Sequence, residues 1–70
     1  MSVTLTGPAE RLLFRPEEAA AKLNIGRSLI YEEIRLGRLQ TVRIGRRRLV
    51  PLEYIARYVE LLKREAEAAA

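Results

Sequence analysis

The sequence contains no cysteine, histidine, tryptophan or aspartate. Without cysteine there is no disulfide framework, thiolate nucleophile or cysteine-based zinc site. Without histidine the usual general base and the commonest metal ligand are missing, and without aspartate the aspartate-dependent metal and phosphoryl-transfer sites are excluded. A chain of 70 residues also has little interior in which to shift a pKa. We therefore expect one small domain that is not an enzyme, with no catalytic residue, bound metal or cofactor.

Long apolar runs are missing as well. No stretch approaches the roughly 20 apolar residues that a membrane-spanning helix needs. The first seven residues, Met1 to Gly7, lack the basic and apolar regions of a secretory signal. We expect no membrane partner and a cytoplasmic location, associated with the nucleoid in a bacterial host.

The charge that is present is positive and clustered. Thirteen Lys and Arg face nine acids, all glutamate, for a net charge of +4. Residues 27–48 hold seven arginines against two glutamates, whereas the flanking segments are close to neutral. A local cluster of arginine is typical of a polyanion binder, because the guanidinium group offers five donors that suit phosphates and base edges. The alternative is a solvated surface that only favours solubility.

Two short helices are predicted, one just before this arginine cluster and one at its start. The first begins at Pro16 and runs to about Leu23, since proline suits the first helical position and two glutamates favour the positive end of the helix dipole. The second covers about Arg27 to Leu36 and ends at Gly37. A connection of about three residues including glycine predicts a helix-turn-helix.

The second helix has two distinct faces at 100° per residue. Its apolar residues predict the buried side, and these are Leu29, Ile30, Ile34 and Leu36. The far face can donate hydrogen bonds and contains no acid, and its residues are Arg27, Ser28, Tyr31 and Arg35. This face is either a nucleic-acid contact or an ordinary solvated surface with Tyr31 partly packed.

After Gly37 the hydrophobic period changes from 3.6 to 2. Residues 40–44 predict a half-buried strand with Val42 and Ile44 on one face, and residues 47–50 predict its partner after a tight turn. The turn brings several cations together, which a counter-anion would favour, and the predicted wing residues are Arg43, Arg46, Arg47 and Arg48. Pro51 opens a last amphipathic helix that covers the core.

This order of elements predicts a mostly α fold with a small β-hairpin, a winged helix-turn-helix. In that fold the second helix enters the major groove and the wing contacts phosphate or the minor groove. We expect a flexible arm over residues 1–10, the DNA-binding domain over residues 11–63 and a fraying tail over residues 64–70.

Several segments together resemble the excisionase-type winged helix-turn-helix family, which is related to the MerR superfamily. The resemblance covers about residues 12 to 62, and the matching segments are Pro16–Ala20, Leu23–Ser28, Tyr31, Ile34–Leu39 and Val42–Pro51. It implies double-stranded DNA binding by the helix around Arg27–Arg35 and by the wing. Phage or mobile-element members are recombination directionality factors that bend attachment-site DNA, self-associate on it and direct an integrase towards excision.

The sequence departs from the family pattern at three positions. Arg15 and Gly26 stand where Ser or Thr often caps a helix, and Arg15 cannot cap through its own side chain. Glu33 replaces a frequently apolar residue, so we expect that side of the second helix to be more exposed.

Three functions remain open from the sequence. The first is an excisionase, which the short chain favours because it leaves no room for an effector-binding domain. The second is a small transcriptional regulator with the same DNA-binding surface. The third is an adaptor whose basic face docks on an acidic protein partner.

Overall fold

A computed structural model describes residues 11–69 and contains three helices and one three-stranded antiparallel sheet within that range. The elements follow one another as β1 (Leu13–Phe14), α1 (Pro16–Leu23), α2 (Arg27–Arg35), β2 (Val42–Ile44), β3 (Arg47–Pro51) and α3 (Leu52–Ala69). The predicted helix-turn-helix, wing and final helix are confirmed. The proposed N-terminal arm, residues 1–10, lies outside the described residues.

Both short helices end through local backbone signals. At the end of α1, Asn24 adopts the left-handed conformation with φ 59°, and the Ile25 amide donates to the Ala20 carbonyl at 3.0 Å. At the end of α2, Gly37 has φ +79°, and the Arg38 amide donates to the Glu33 carbonyl at 3.0 Å. Each is a Schellman motif, which satisfies terminal carbonyls and turns the chain out of the helix.

The sheet order is β1-β3-β2, so the wing is anchored to the domain through its second strand. Phe14 of β1 lies opposite Val50 of β3, and Val42 of β2 lies opposite Leu49. The pairing of β1 with β3 makes the sheet larger than the predicted two-stranded wing. Pro51 is the last residue of β3 rather than the first of α3.

The core lies between the helix pair, β3 and α3. Ile30, Leu39 and Val50 are its largest fully buried side chains. Ala19 and Ala20 of α1 are also buried, which allows the close approach of α1 and α2. The last helix is amphipathic as predicted, and Ile55 and Tyr58 are its buried residues.

The structure corrects three burial predictions. Leu29 and Leu36 are 48% and 54% exposed, because the buried strip of α2 is Ile30, Glu33 and Ile34. Ile44 is 55% exposed while Val42 is half-buried, since the tip of the wing extends past the elements that cover its base. Glu33, expected to be more exposed, is only 8% exposed and belongs to a polar network described below.

The C-terminal helix continues through the segment for which fraying is predicted. It runs to Ala69, and Glu65 within it contacts Arg38. Fraying from residue 64 therefore stays a prediction, and this ion pair is the described contact that would oppose it.

Two further findings concern residues 11–69 alone. None of the helices there is both long enough and apolar enough to cross a bilayer. In the same range no three acidic side chains are grouped so that they could hold a metal ion.

Candidate nucleic-acid interface

The outward face of α2 presents the side chains that the sequence singles out. All four are exposed, and they are Arg27, Ser28, Tyr31 and Arg35. Ile30 and Ile34 hold the opposite side of the helix in the core, so the helix cannot rotate without exposing them. The fold thus fixes which side chains of α2 a ligand meets.

A carboxylate from α1 reaches this face. The Tyr31 hydroxyl donates to Glu17 Oε2 at 2.7 Å, and Arg27 Nη2 lies 3.5 Å from the same oxygen. The hydrogen bond from Tyr31 lowers the pKa of Glu17, and the same bond raises the pKa of Tyr31. Glu17 therefore positions two of the predicted contact residues, although its charge opposes binding of an anion.

Arg35 also has an acidic partner in the structure. Its Nε donates to Glu32 Oε1 at 3.2 Å, and a second guanidinium nitrogen donates to the other carboxylate oxygen. This fork of hydrogen bonds lowers the pKa of Glu32, so the carboxylate stays ionised near neutral pH. To contact a base, the Arg35 guanidinium must either break its hydrogen bonds to Glu32 and donate to a DNA acceptor, or donate to both at once.

The wing concentrates positive charge without carboxylates. Gly45, with φ +60°, and Arg46 form the two-residue turn between β2 and β3. Arg43 lies directly opposite Arg48 across the strand pair, and Arg47 lies opposite Ile44. The four wing arginines are exposed, and none forms an ion pair with a carboxylate of residues 11–69. Like charges directly opposite each other destabilise a strand pair, so a bound anion would stabilise this hairpin.

A partly buried polar network holds the other side of α2. Glu33 Oε1 accepts from the Tyr58 hydroxyl at 2.7 Å and from Arg38 Nε at 2.8 Å. Arg38 also donates from its two terminal nitrogens to Glu65, at 2.8 Å for Nη2. The bonds from Arg38 and Tyr58 lower the pKa of Glu33, whereas burial and the bond to Glu33 raise the pKa of Tyr58 to about 12. The network joins α2 to α3 and so sets the orientation of the outward face.

The structure brings together the members of each predicted group but does not join the two groups directly. Among the described residues, no hydrogen bond or ion pair links the outward face of α2 to the wing arginines. Both groups project from the same domain.

Several functional side chains were missed by the sequence reasoning. The pairing of Glu32 with Arg35 could have been found from their i, i+3 spacing on a helix. The contacts of Glu17 with Tyr31 and of Glu33 with Tyr58 join residues 14 and 25 positions apart, so helical periodicity carries no signal for them.

Comparison with known proteins agrees with this geometry. The helix-turn-helix domain family matches residues 13–60, which span β1 to the first half of α3. A protein of Saccharopolyspora erythraea named "Probable excisionase" is 39% identical over 59 residues, which are 84% of this chain and 60% of that protein. The chain thus spans about 60% of the length of the curated relative that it matches. No solved structure matches the chain.

The matched family agrees with the helix-turn-helix arrangement of α1 and α2. The chain therefore belongs to the helix-turn-helix domain family, and it is similar to a protein named as a probable excisionase.

Proposed function

We propose that α2 enters the major groove of double-stranded DNA while the wing lies against the backbone or the adjacent minor groove. The observation that carries this proposal is the exposed wing, where Arg43 and Arg48 face each other with no described carboxylate beside them. Phosphate groups would supply the missing counter-charge. A B-DNA major groove is wide enough for a helix, and the polar face of α2 is exposed to solvent.

We further propose that the protein acts as an excisionase of a phage or mobile element. In this role it binds attachment-site DNA, bends it and directs a site-specific integrase towards excision, with self-association along the DNA. Support comes from the relative named "Probable excisionase" and from the two separate contact groups, since the cost of bending a duplex can be offset by the additional contacts that the bend permits. Binding to chromosomal DNA would place the protein at the nucleoid of a bacterial host.

The choice between an excisionase and a transcriptional regulator is tested by the sites that the protein selects. Purified protein is mixed at near-physiological salt with sheared DNA from the source genome, and the bound fragments are sequenced. An excisionase enriches one cluster of repeated sites beside an integrase gene, whereas a regulator enriches scattered promoters. A lack of enrichment at every salt concentration would contradict DNA recognition by this surface and would favour an adaptor.

Salt dependence gives a quantitative test of the phosphate contacts. About five arginines at phosphates give a slope of log K against log salt concentration near −4 to −5, because each neutralised phosphate releases about 0.9 counterion. Fluorescence anisotropy with one duplex, repeated between about 50 and 200 mM salt, measures this slope. A flat dependence would contradict the electrostatic part of the proposal.

Arg35 is expected to read a base. Replacing Arg35 by alanine should cost about 1–3 kcal/mol of binding free energy at the specific site and should relax the sequence preference there. The measurement is affinity for the selected site and for a set of single-base variants of it. Unchanged binding of Arg35→Ala to its site would show that the helix face is assigned wrongly.

Glu32→Gln is the matched control for Arg35, because it removes the acidic partner and keeps the arginine. Loss of this carboxylate frees Arg35 and removes repulsion from phosphate, so affinity should rise for all duplexes. An equal loss of affinity in Glu32→Gln and Arg35→Ala would mean that their ion pair, rather than a base contact by Arg35, supports binding.

A further inference from the structure

An open groove of about 450 Å³ lies beside α3, separate from both proposed DNA-contact groups. Tyr54 and Leu61 of α3 are half-buried and form part of its apolar surface. Three guanidinium groups also line it, those of Arg38, Arg57 and Arg64. The groove therefore combines an apolar floor with positive charge, and the DNA-binding proposal uses neither.

The groove lies on the opposite side of α2 from the outward face of that helix. Tyr58, which also lines the groove, donates its hydroxyl to Glu33 of α2, so α3 lies on the Glu33 side of that helix. Glu33 is two positions from both Tyr31 and Arg35, which places it about 160° around the helix from each. A ligand in the groove and a duplex against the outward face of α2 could therefore be bound at the same time.

Two of the three guanidinium groups are available to a ligand. Arg38 is occupied by Glu33 and Glu65, whereas Arg57 and Arg64 form no ion pair with any carboxylate in the described part of the chain. The guanidinium of Arg57 lies over the Tyr54 ring, 5.2 Å from its centroid, which restricts its position. Nearby Glu60 is paired with Lys63 at 3.2 Å and does not neutralise either arginine.

The spacing of these arginines defines what would fit. Arg57 and Arg64 are seven residues apart on one helix, about 10.5 Å along its axis, and so lie on the same side of α3. A second helix with two carboxylates seven residues apart repeats this spacing. An apolar side chain between those carboxylates would meet Leu61, which lies between the two arginines along α3.

We propose that this groove, defined here as the Arg57–Arg64 groove, binds an acidic amphipathic helix of a partner protein. Guanidinium groups can pair with carboxylates through two parallel hydrogen bonds, and a helix laid in an apolar groove is a common mode of peptide recognition. The concave shape and the apolar floor favour a peptide over duplex DNA, which would meet only the rim of such a groove. The inference does not depend on the role in excision.

The test uses the full chain labelled with ¹⁵N and a synthetic helical peptide. The probe peptide carries two glutamates seven residues apart with leucine between them, and a matched peptide carries glutamine in place of both glutamates. We expect the glutamate peptide to shift the amide signals of residues 54–64 and the glutamine peptide to bind at least tenfold more weakly. Adding a DNA duplex that the protein binds should not displace the peptide.

Variants separate this groove from the DNA surface. The double variant Arg57→Gln and Arg64→Gln keeps good helix formers in α3 and should weaken peptide binding at least tenfold, with less than a twofold change in DNA affinity. The double variant Arg46→Gln and Arg47→Gln should weaken DNA binding and leave peptide binding nearly unchanged. Circular dichroism and thermal melting check that each variant is folded.

Four results would overturn the proposal. These are no binding of the glutamate peptide, equal binding of both peptides, amide shifts confined to α2 or the wing, and a fivefold or greater loss of DNA affinity in the Arg57 and Arg64 variant. The last result would assign the groove to DNA instead of a protein partner. None of them would affect the proposal that the wing binds phosphate.

Discussion

Replacing Arg46, Arg47 and Arg48 together by alanine is expected to weaken binding to every duplex by roughly a hundredfold at physiological salt. Each of these side chains is exposed at the wing, and none is paired with a carboxylate of residues 11–69. If each meets one phosphate, the slope of log K against log salt concentration becomes shallower by about 2.7. Anisotropy titrations of specific and unrelated duplexes at several salt concentrations measure both quantities.

A matched control removes the same charge from another surface. Arg57, Lys63 and Arg64 are three exposed cations of α3, and their replacement by alanine lowers the net charge of the protein equally. We expect this variant to keep most of its DNA affinity and nearly all of its salt slope. Equal losses in the two triple variants would mean that overall charge, rather than the wing, drives binding.

Replacing Glu33 by alanine is expected to lower the free energy of unfolding by about 3 kcal/mol. The substitution leaves the buried Tyr58 hydroxyl without its acceptor and removes one of the two carboxylates paired with Arg38. Few interactions in a domain of this size could compensate for that loss. Urea denaturation followed by circular dichroism measures the change.

Glu60→Ala is the control for this effect, since Glu60 is exposed and its only described partner is Lys63 at 3.2 Å. An exposed pair of this kind contributes less than about 1 kcal/mol. If Glu33→Ala were no more destabilising than Glu60→Ala, the network would not hold α2 against α3. The orientation of the outward face would then need another explanation.

The network contributes part of the pH dependence of stability. The hydrogen bonds from Arg38 and Tyr58 hold the pKa of Glu33 below its ordinary value of 4.5. The stability that this group contributes is therefore complete above pH 4.5 and is lost as the pH falls through the lowered pKa. Glu33→Gln should flatten the decline in stability below pH 4.5, measured by urea denaturation across that range.

The elements themselves were accessible from the sequence because their signals are local. Pro16, Gly37 and the turn at Gly45 mark boundaries through backbone preferences that act within a few residues. The change of hydrophobic period after Gly37 separated the helices from the wing. These signals predicted three helices and a hairpin in the order that the structure contains.

The burial pattern of α2 was predicted less well. Leu29 and Leu36 were assigned to the buried side because they are apolar, yet both are largely exposed. Glu33 takes the buried position instead, since Tyr58 and Arg38 satisfy its carboxylate. A hydrophobic pattern ranks residues by their own polarity and contains no information about partners that arrive from another element.

The positively charged surface was also only partly predictable from the sequence. The clustering of arginine in residues 27–48 and the outward orientation of Arg27 and Tyr31 follow from composition and from 100° per residue. The carboxylate of Glu17 beside them and the separate Arg57–Arg64 groove arise from contacts between elements that are distant in the chain. Helices, turns and charge clusters are thus local properties that the amino-acid order dictates. Packing decides which charges are paired with a distant partner and which helix faces stay exposed. The interaction energies between elements that are far apart in the chain exist only when the fold brings those elements together.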